Sequence, residues 1–274
     1  MNLIPKRIYF YWGGKSLPFL RYMTILSFRK YNPDWKIILC QPTSENLSQN
    51  YNWPGKENKN DLSSIPNYFD KLQGIVDEFR TVDMTSFGLP NNLPEVTKSD
   101  FYRLNLLANE CGVWMDMDII FFHPLEYAFL KTDHRVYICY QPNLPGTPPY
   151  HSIGLLMSAP YNDSWKNLLF YAKQHIMDYD YQAIGSPFYK KYLDETAFEV
   201  CNFSNNIVYP IRWPDKIWHR PAEVSLQELK PETIGIHHYA GHFITAEFQA
   251  KLTHENYMNY DNIVCYFIKK ALNG

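Results

Sequence analysis

Asp116 and Asp118 stand two residues apart in Val113-Trp114-Met115-Asp116-Met117-Asp118, and Ile119-Ile120-Phe121-Phe122 follows directly. Carboxylates carried into apolar surroundings are costly unless something offsets their charge. A divalent cation would do so, and hard oxygen ligands suit Mg2+ or Mn2+, which leave positions open for substrate phosphates. For an isolated Asp-x-Asp the plainer reading is a pair of turn carboxylates capping a neighbouring helix. This motif is not isolated. Asp100 and Arg103 lie three apart within a helical pattern and share one face. Asp116 and Asp118, in an extended segment, point the same way as the strand runs out. Four polar groups therefore converge on one strand end.

The surrounding sequence says what must hold them. Lys6 to Trp12 (KRIYFYW) is rich in β-branched and aromatic residues and stops at Gly13-Gly14, as a strand entering a tight turn does. Leu17 to Tyr31 has helical spacing and ends before Pro33, and Trp35 to Cys40 is a short apolar run suited to a strand buried on both faces. Strand, helix, strand in that order implies a crossover and a parallel sheet, which binds ligands at the carboxyl ends of its strands. Trp12 and Gly13 sit at such an end. Glu95 to Cys111 is helical, with Gly112 as its stop. Strand patterns follow at 113–116, 119–122, 135–141 and 152–158, helical patterns at 163–177 and 182–194, strand patterns at 206–213 and 233–239, and an amphipathic segment at 255–272. The fold class expected is α/β, with residues 43–64 a polar surface excursion.

Composition narrows the function classes. With 274 residues, 46% of them hydrophobic, the chain can bury a large core without disulfides, and one domain spanning 1–274 is the simplest division. Lys plus Arg number 26 against 28 Asp plus Glu, so no overall field draws the protein to nucleic acid or anionic membrane. No apolar stretch has signal-peptide or membrane-spanning length, which leads to the expectation of a soluble, cytoplasmic protein without integral membrane association. The cysteines Cys40, Cys111, Cys139, Cys201 and Cys265 are odd in number and widely spaced, as buried thiols of a reducing compartment are. Zinc spacing is lacking. So are the Walker and dinucleotide glycine patterns, which leaves a kinase or dehydrogenase unsupported.

Ser99-Asp100-Phe101-Tyr102-Arg103, a Leu-rich helix, Gly112, the aromatic Trp114, Asp116-x-Asp118 and then His123-Pro124-Leu125 together resemble the glycosyltransferase family named for its sugar-binding DXD region. Its members include yeast-type initiating mannosyltransferases and bacterial polysaccharide transferases, with the glucosylating clostridial toxins as distant kin. Ile4 to Gly14 is similar to the family's opening strand, Tyr31-Asn32-Pro33-Asp34-Trp35 to its helix-to-strand turn, and His237-His238-Tyr239-Ala240-Gly241 to its C-terminal histidine motif. The resemblance runs from about residue 4 to about residue 245. Its specificity lies in the combination.

The resemblance implies a GT-A-type nucleotide-sugar-binding fold, with a central mostly parallel sheet flanked by helices, and transfer with retention at the anomeric carbon. It places Tyr11, Trp12 and Gly13 at the donor, with Trp12 stacked on the base. Asp100 and Arg103 would hold the donor sugar, Asp116 would contact ribose or metal, and Asp118 would be the direct metal ligand. His238 would approach the ion opposite Asp118, with His237 turned to the other face. Gly185, in Gln182 to Phe188, is a further donor-side candidate. Cys111 and Met115 depart mildly from the pattern, and His242-Phe243 replaces the usual Ser-Trp. The activity expected is metal-dependent (Mn2+ or Mg2+) transfer of a sugar from a UDP- or GDP-sugar to an acceptor hydroxyl on a glycan or lipid-linked oligosaccharide. A phage-type transferase acting on modified DNA bases, or a catalytically silent nucleotide- or carbohydrate-binding protein, is the alternative.

Overall fold

The computed structural model describes residues 4–43, 47, 50–52, 59–61, 65–129, 136–141, 149–160, 163–177, 183–195 and 200–273. Most of the polar excursion at 43–64 lies outside the described residues, as do residue 135 and Gln182. The chain opens with β1 (Arg7–Tyr11), α1 (Phe19–Tyr31) and β2 (Lys36–Pro42), followed by the short pair β3 (Asn50–Asn52) and β4 (Lys59–Asp61), then β5 (Glu78–Val82). Next come α2 (Glu95–Asn109), β6 (Gly112–Met115), β7 (Ile119–Phe121), α3 (Leu125–Ala128), β8 (Val136–Gln141) and β9 (Tyr150–Ser158). The second half adds α4 (Ser164–His175), α5 (Ser186–Glu195), β10 (Cys201–Ser204), α6 (Pro214–His219) and α7 (Ala222–Leu226). It closes with β11 (Gly235–His237), α8 (Phe243–Lys251) and α9 (Ile263–Asn273).

Seven strands form the main sheet in the order β10-β8-β9-β6-β1-β2-β5. β9 runs antiparallel to both neighbours, and every other neighbouring pair is parallel. The apolar runs of β1, β2 and β6 are continuous because both faces of these strands are covered. Ile8, Phe10, Ile37, Leu39, Val113 and Met115 pack on one face with Ile25 and Phe28 of α1. Tyr9, Tyr11, Ile38, Cys40 and Trp114 pack on the other with Leu104 and Leu107 of α2 and Trp165 and Leu168 of α4. Each such burial contributes about 1.5–3 kcal/mol. A second, two-stranded sheet pairs β7 with β11, and Trp218, Phe267 and Ile268 from the C-terminal helices pack behind its Ile120 and Ile236. All five cysteines are free thiols, with Cys40, Cys139 and Cys265 buried and Cys111 and Cys201 partly so.

Three sequence expectations shift. The helix from Glu95 ends at Asn109, and Cys111, not Gly112, is the first left-handed residue after it, at φ 56°. Gly112 opens β6 at φ 107°, where a Cβ would meet the Arg7 carbonyl at 2.8 Å, so glycine is required by the approach of β6 to β1 as well. The strand expected at 206–213 lies earlier, at Cys201–Ser204. Ser204 caps a 3-10 turn over Asn205–Ile207, after which Val208, Tyr209 and Ile211 enter the core from irregular backbone. Those residues read as strand because they are apolar and buried, which irregular backbone also permits. The last amphipathic segment begins at Ile263 as a helix, after a 3-10 turn at Tyr257–Asn259.

Candidate active site

β1 and β6 are parallel neighbours, so Tyr11-Trp12-Gly13 and Asp116-Met117-Asp118 leave the sheet at one edge. β9 runs the other way and brings Ile153 and Gly154 to the same edge, where the Asp116 N–H donates to the Gly154 carbonyl at 2.8 Å. A cavity of about 160 Å³ opens there, lined by Tyr11, Trp12, Asp100, Arg103, Asp116 and Asp118, with Arg21 and Gly185 among the other walls. All the expected site residues except Gly13 and His238 therefore face one cavity. Gly13 lies under Glu95, and the His238 side chain is fully buried.

Helical spacing sets Asp100 and Arg103. The Arg103 guanidinium donates through Nη2 to Asp100 Oδ1 at 2.8 Å and through Nη1 to the Ile153 carbonyl at 2.9 Å, and it lies over the Trp114 ring at 5.1 Å. Both side chains are buried, and Arg103 Nη2 also comes within 3.4 Å of Asp116 Oδ1. Burial pushes the Asp100 carboxyl up to about 7, with the Arg103 guanidinium opposing the rise and the Asp116 charge adding to it. Arg103 is thus a cation shared by two carboxylates at the mouth of β6.

The Asp-x-Asp pair is held differently. Asp116 is partly exposed, and its Oδ1 accepts from the Trp114 indole at 3.0 Å. Asp118 is buried. Its backbone carbonyl accepts from His238 N–H at 2.8 Å, and its Oδ2 accepts from Ala240 N–H at 3.0 Å. Between the two aspartates, Arg21 Nη1 donates to the Met117 carbonyl at 2.8 Å while its Nε donates to Gln249 Oε1. Burial opposes the Asp118 charge, but the neighbouring His237, with Arg21 and His238, outweighs it and holds the carboxyl well below the usual carboxylate range.

The histidine motif meets Asp118 in the reverse of the expected order. His237 Nε2 lies 3.0 Å from Asp118 Oδ1, whereas the His238 imidazole is fully buried, 6.0 Å from the Trp218 ring. β11 ends at His237, and Tyr239 takes a left-handed φ of 53° that turns Ala240 N–H onto Asp118. Both His238 ring nitrogens lack hydrogen-bond partners, and burial pulls the group down to about 3. His242, next along, caps α8 by accepting from Ile244 N–H at 3.3 Å.

Trp12 is buried in the core, with its indole N–H donated to the Ser16 carbonyl at 3.0 Å and the Arg21 guanidinium 5.2 Å from its ring. Tyr11 donates its hydroxyl to Glu95 Oε2 at 2.9 Å, and Lys98 Nζ pairs with Glu95 Oε1 at 2.7 Å. Glu95 is thereby fixed over Gly13, where a Cβ would lie 1.8 Å from Oε2. Gly185 is buried at the entrance to α5. Arg21, His237 and Tyr209 were not read as site residues from sequence. Arg21 carries no local motif of its own, His237 belongs to the histidine motif but is expected on the other face, and Tyr209 sits in the segment expected to be a strand.

The donor set fits a hard divalent cation. Asp118 Oδ1 faces only the His237 imidazole among the described residues, and Asp116 is open to the cavity. Among the described residues no group of three or more His, Cys, Asp or Glu side chains is arranged to hold an ion. Two carboxylates plus substrate phosphates are the usual holding set for Mg2+.

The fold is of the GT-A type, a mixed α/β architecture with a central, mostly parallel sheet flanked by helices. Residues 21–135, which carry Arg21, Asp100, Arg103 and both motif aspartates, match the family described as glycosyltransferase sugar-binding region containing DXD motif. No curated protein matches the chain in sequence. Among solved structures it is similar to the glycosyltransferase GlyE of Streptococcus pneumoniae TIGR4, with a TM-score of 0.50 and 10% identity over 98% of this chain and 63% of that one. The chain thus spans less than two thirds of GlyE. It is also similar to the PaToxG glycosyltransferase, with a TM-score of 0.49 and 14% identity over 70% of this chain and 69% of that one. Mouse xyloside xylosyltransferase 1 gives a TM-score of 0.42 and 8% identity over 84% and 96%. At such identities the likeness is one of fold. No helix among the described residues is long and apolar enough to cross a membrane.

Proposed function

We propose that the chain is a metal-dependent, retaining glycosyltransferase that moves a sugar from a UDP- or GDP-sugar to an acceptor hydroxyl of a glycan or lipid-linked oligosaccharide. The observation that carries this reading is the convergence of Asp100, Arg103, Asp116 and Asp118 on one cavity at the carboxyl ends of β1 and β6. Residues 1–274 act as one GT-A-like domain, working in the cytoplasm.

Asp116 and Asp118 would hold Mn2+ or Mg2+, with the 237–240 segment contributing to the Asp118 side, and His238 is the histidine the family resemblance assigns to the ion. The cation, when bound, offsets charge developing on the leaving diphosphate. Asp100 and Arg103 orient the donor sugar: the carboxylate accepts from sugar hydroxyls, and the guanidinium donates to oxygens that gain charge as the glycosidic bond breaks. Tyr11, Trp12 and Gly13 frame the nucleotide side, with Gly185 on the wall formed by α5. Metal-dependent hydrolysis of UDP- and GDP-sugars, followed by NMR of the released sugar, tests the reading. Release of the retained anomer from one donor supports it. Binding of a nucleotide sugar with no turnover under any acceptor or metal condition would reassign the chain as a binding protein.

A further inference from the structure

Tyr209 follows the 3-10 turn after β10 and is 3% exposed. Its hydroxyl is closed off from solvent and has no hydrogen-bond partner among the described residues. A Cβ built on Gly154 would lie 2.6 Å from that hydroxyl and 3.1 Å from Asp116 Oδ2, so the phenol and the carboxylate close on the same point beside β9. Only glycine at 154 leaves that point empty. The Tyr209 ring lies 4.8 Å from the ring of His237, the residue that meets Asp118. Burial first, then the nearby Cys139, Asp116, Asp118 and Tyr239, raise the phenol well above its ordinary range. The phenol is thus a hydroxyl donor beside Asp116 with no acceptor among the described residues.

A buried donor left unpaired destabilises the fold, and phenylalanine would fill the same volume without that penalty. Asp116 Oδ1 already serves Trp114 and Arg103, while Oδ2 is the oxygen nearest the empty point. We propose that Tyr209 is a positioning residue for Asp116, its hydroxyl donating to the Asp116 carboxylate when a divalent cation and a nucleoside diphosphate enter the cavity. The free protein carries the unmet donor, and the loaded protein satisfies it. This inference rests on the proposed function for the identity of the ligand.

The test compares Tyr209→Phe with wild type in two measurements. Thermal unfolding in EDTA should give a melting temperature no lower than that of wild type. Calorimetric titration of Mn2+ in the presence of UDP, and in parallel GDP, should show affinity weakened about 10-fold, the usual scale for removing a hydrogen bond to a metal-ligating group. A lower melting temperature in EDTA overturns the inference whatever the affinity does, since it assigns the hydroxyl to the free fold. Unchanged Mn2+ affinity overturns it as well. Asp118→Ala, measured alongside, separates the levels: if it binds Mn2+ and nucleotide as wild type does, or if wild type binds neither, the reading of the site itself falls. If Asp118→Ala loses binding and Tyr209→Phe does not, only the role of Tyr209 falls.

Discussion

The two acidic centres of the cavity differ in how completely the protein satisfies them. Asp100 shares Arg103, one helical turn away on α2, and both are buried against Trp114 and the Ile153 carbonyl. Asp116 and Asp118 lie in the turn between β6 and β7, with Asp116 partly exposed, and Asp118 receives its contacts from the remote 237–240 stretch, including the His237 imidazole 3.0 Å from Oδ1. A centre closed by its own helix is built to persist. A pair in which one carboxylate stays partly exposed and the other is met by a histidine is built to receive a ligand.

That contrast is broken most directly at Asp118. Asp118→Ala should abolish turnover at saturating donor, a fall of roughly 1,000-fold or more if the cation contributes several kcal/mol at the leaving diphosphate. EDTA should do the same to wild type. Full activity in either condition, measured by donor hydrolysis, would remove the metal from the reading.

Arg103→Ala should act on the fold instead. It strands a buried Asp100 carboxylate, and breaking a buried pair by removing one partner costs about 3–5 kcal/mol. Asp116→Ala, at a partly exposed site with other acceptors nearby, should cost less than about 1 kcal/mol of stability while still weakening donor binding. Urea unfolding of the two variants checks the order. If Asp116→Ala proves the more destabilising, the distinction between a closed and an open centre is wrong.

The histidine pair gives the most pH-specific effect. The folded His238 is held down to about 3 by burial, against an unfolded value near the ordinary 6.5, so the unfolded chain binds more protons between those values. Stability in EDTA should therefore be constant above about pH 6.5 and fall by about 2 kcal/mol between pH 6.5 and 5. His238→Met should flatten that fall, read from melting temperatures across the pH range. An equally steep fall in the variant would assign the acid sensitivity elsewhere. At His237, Ala should weaken Mn2+ binding through the lost contact to Asp118.

The sequence by itself determined the α/β class, the opening β1-α1-β2 unit, the helix that carries Asp100 and Arg103, and the arrival of Asp116 and Asp118 at a strand end. Those features rest on hydrophobic period and on spacing within one element, which are local and so readable along the chain. Tertiary structure decided what lies opposite them. It put the His237 imidazole on Asp118 through the pairing of β11 with β7, and turned Ala240 N–H onto the same carboxylate through a left-handed Tyr239 that no periodicity announces. It buried Trp12 beneath Arg21, drew Met117 to an arginine 96 residues away, and brought Tyr209 and Asp116 to the same point beside Gly154. Contacts across such separations depend on where whole strands and helices pack, and the side chains involved carry no local pattern that distinguishes them from ordinary core.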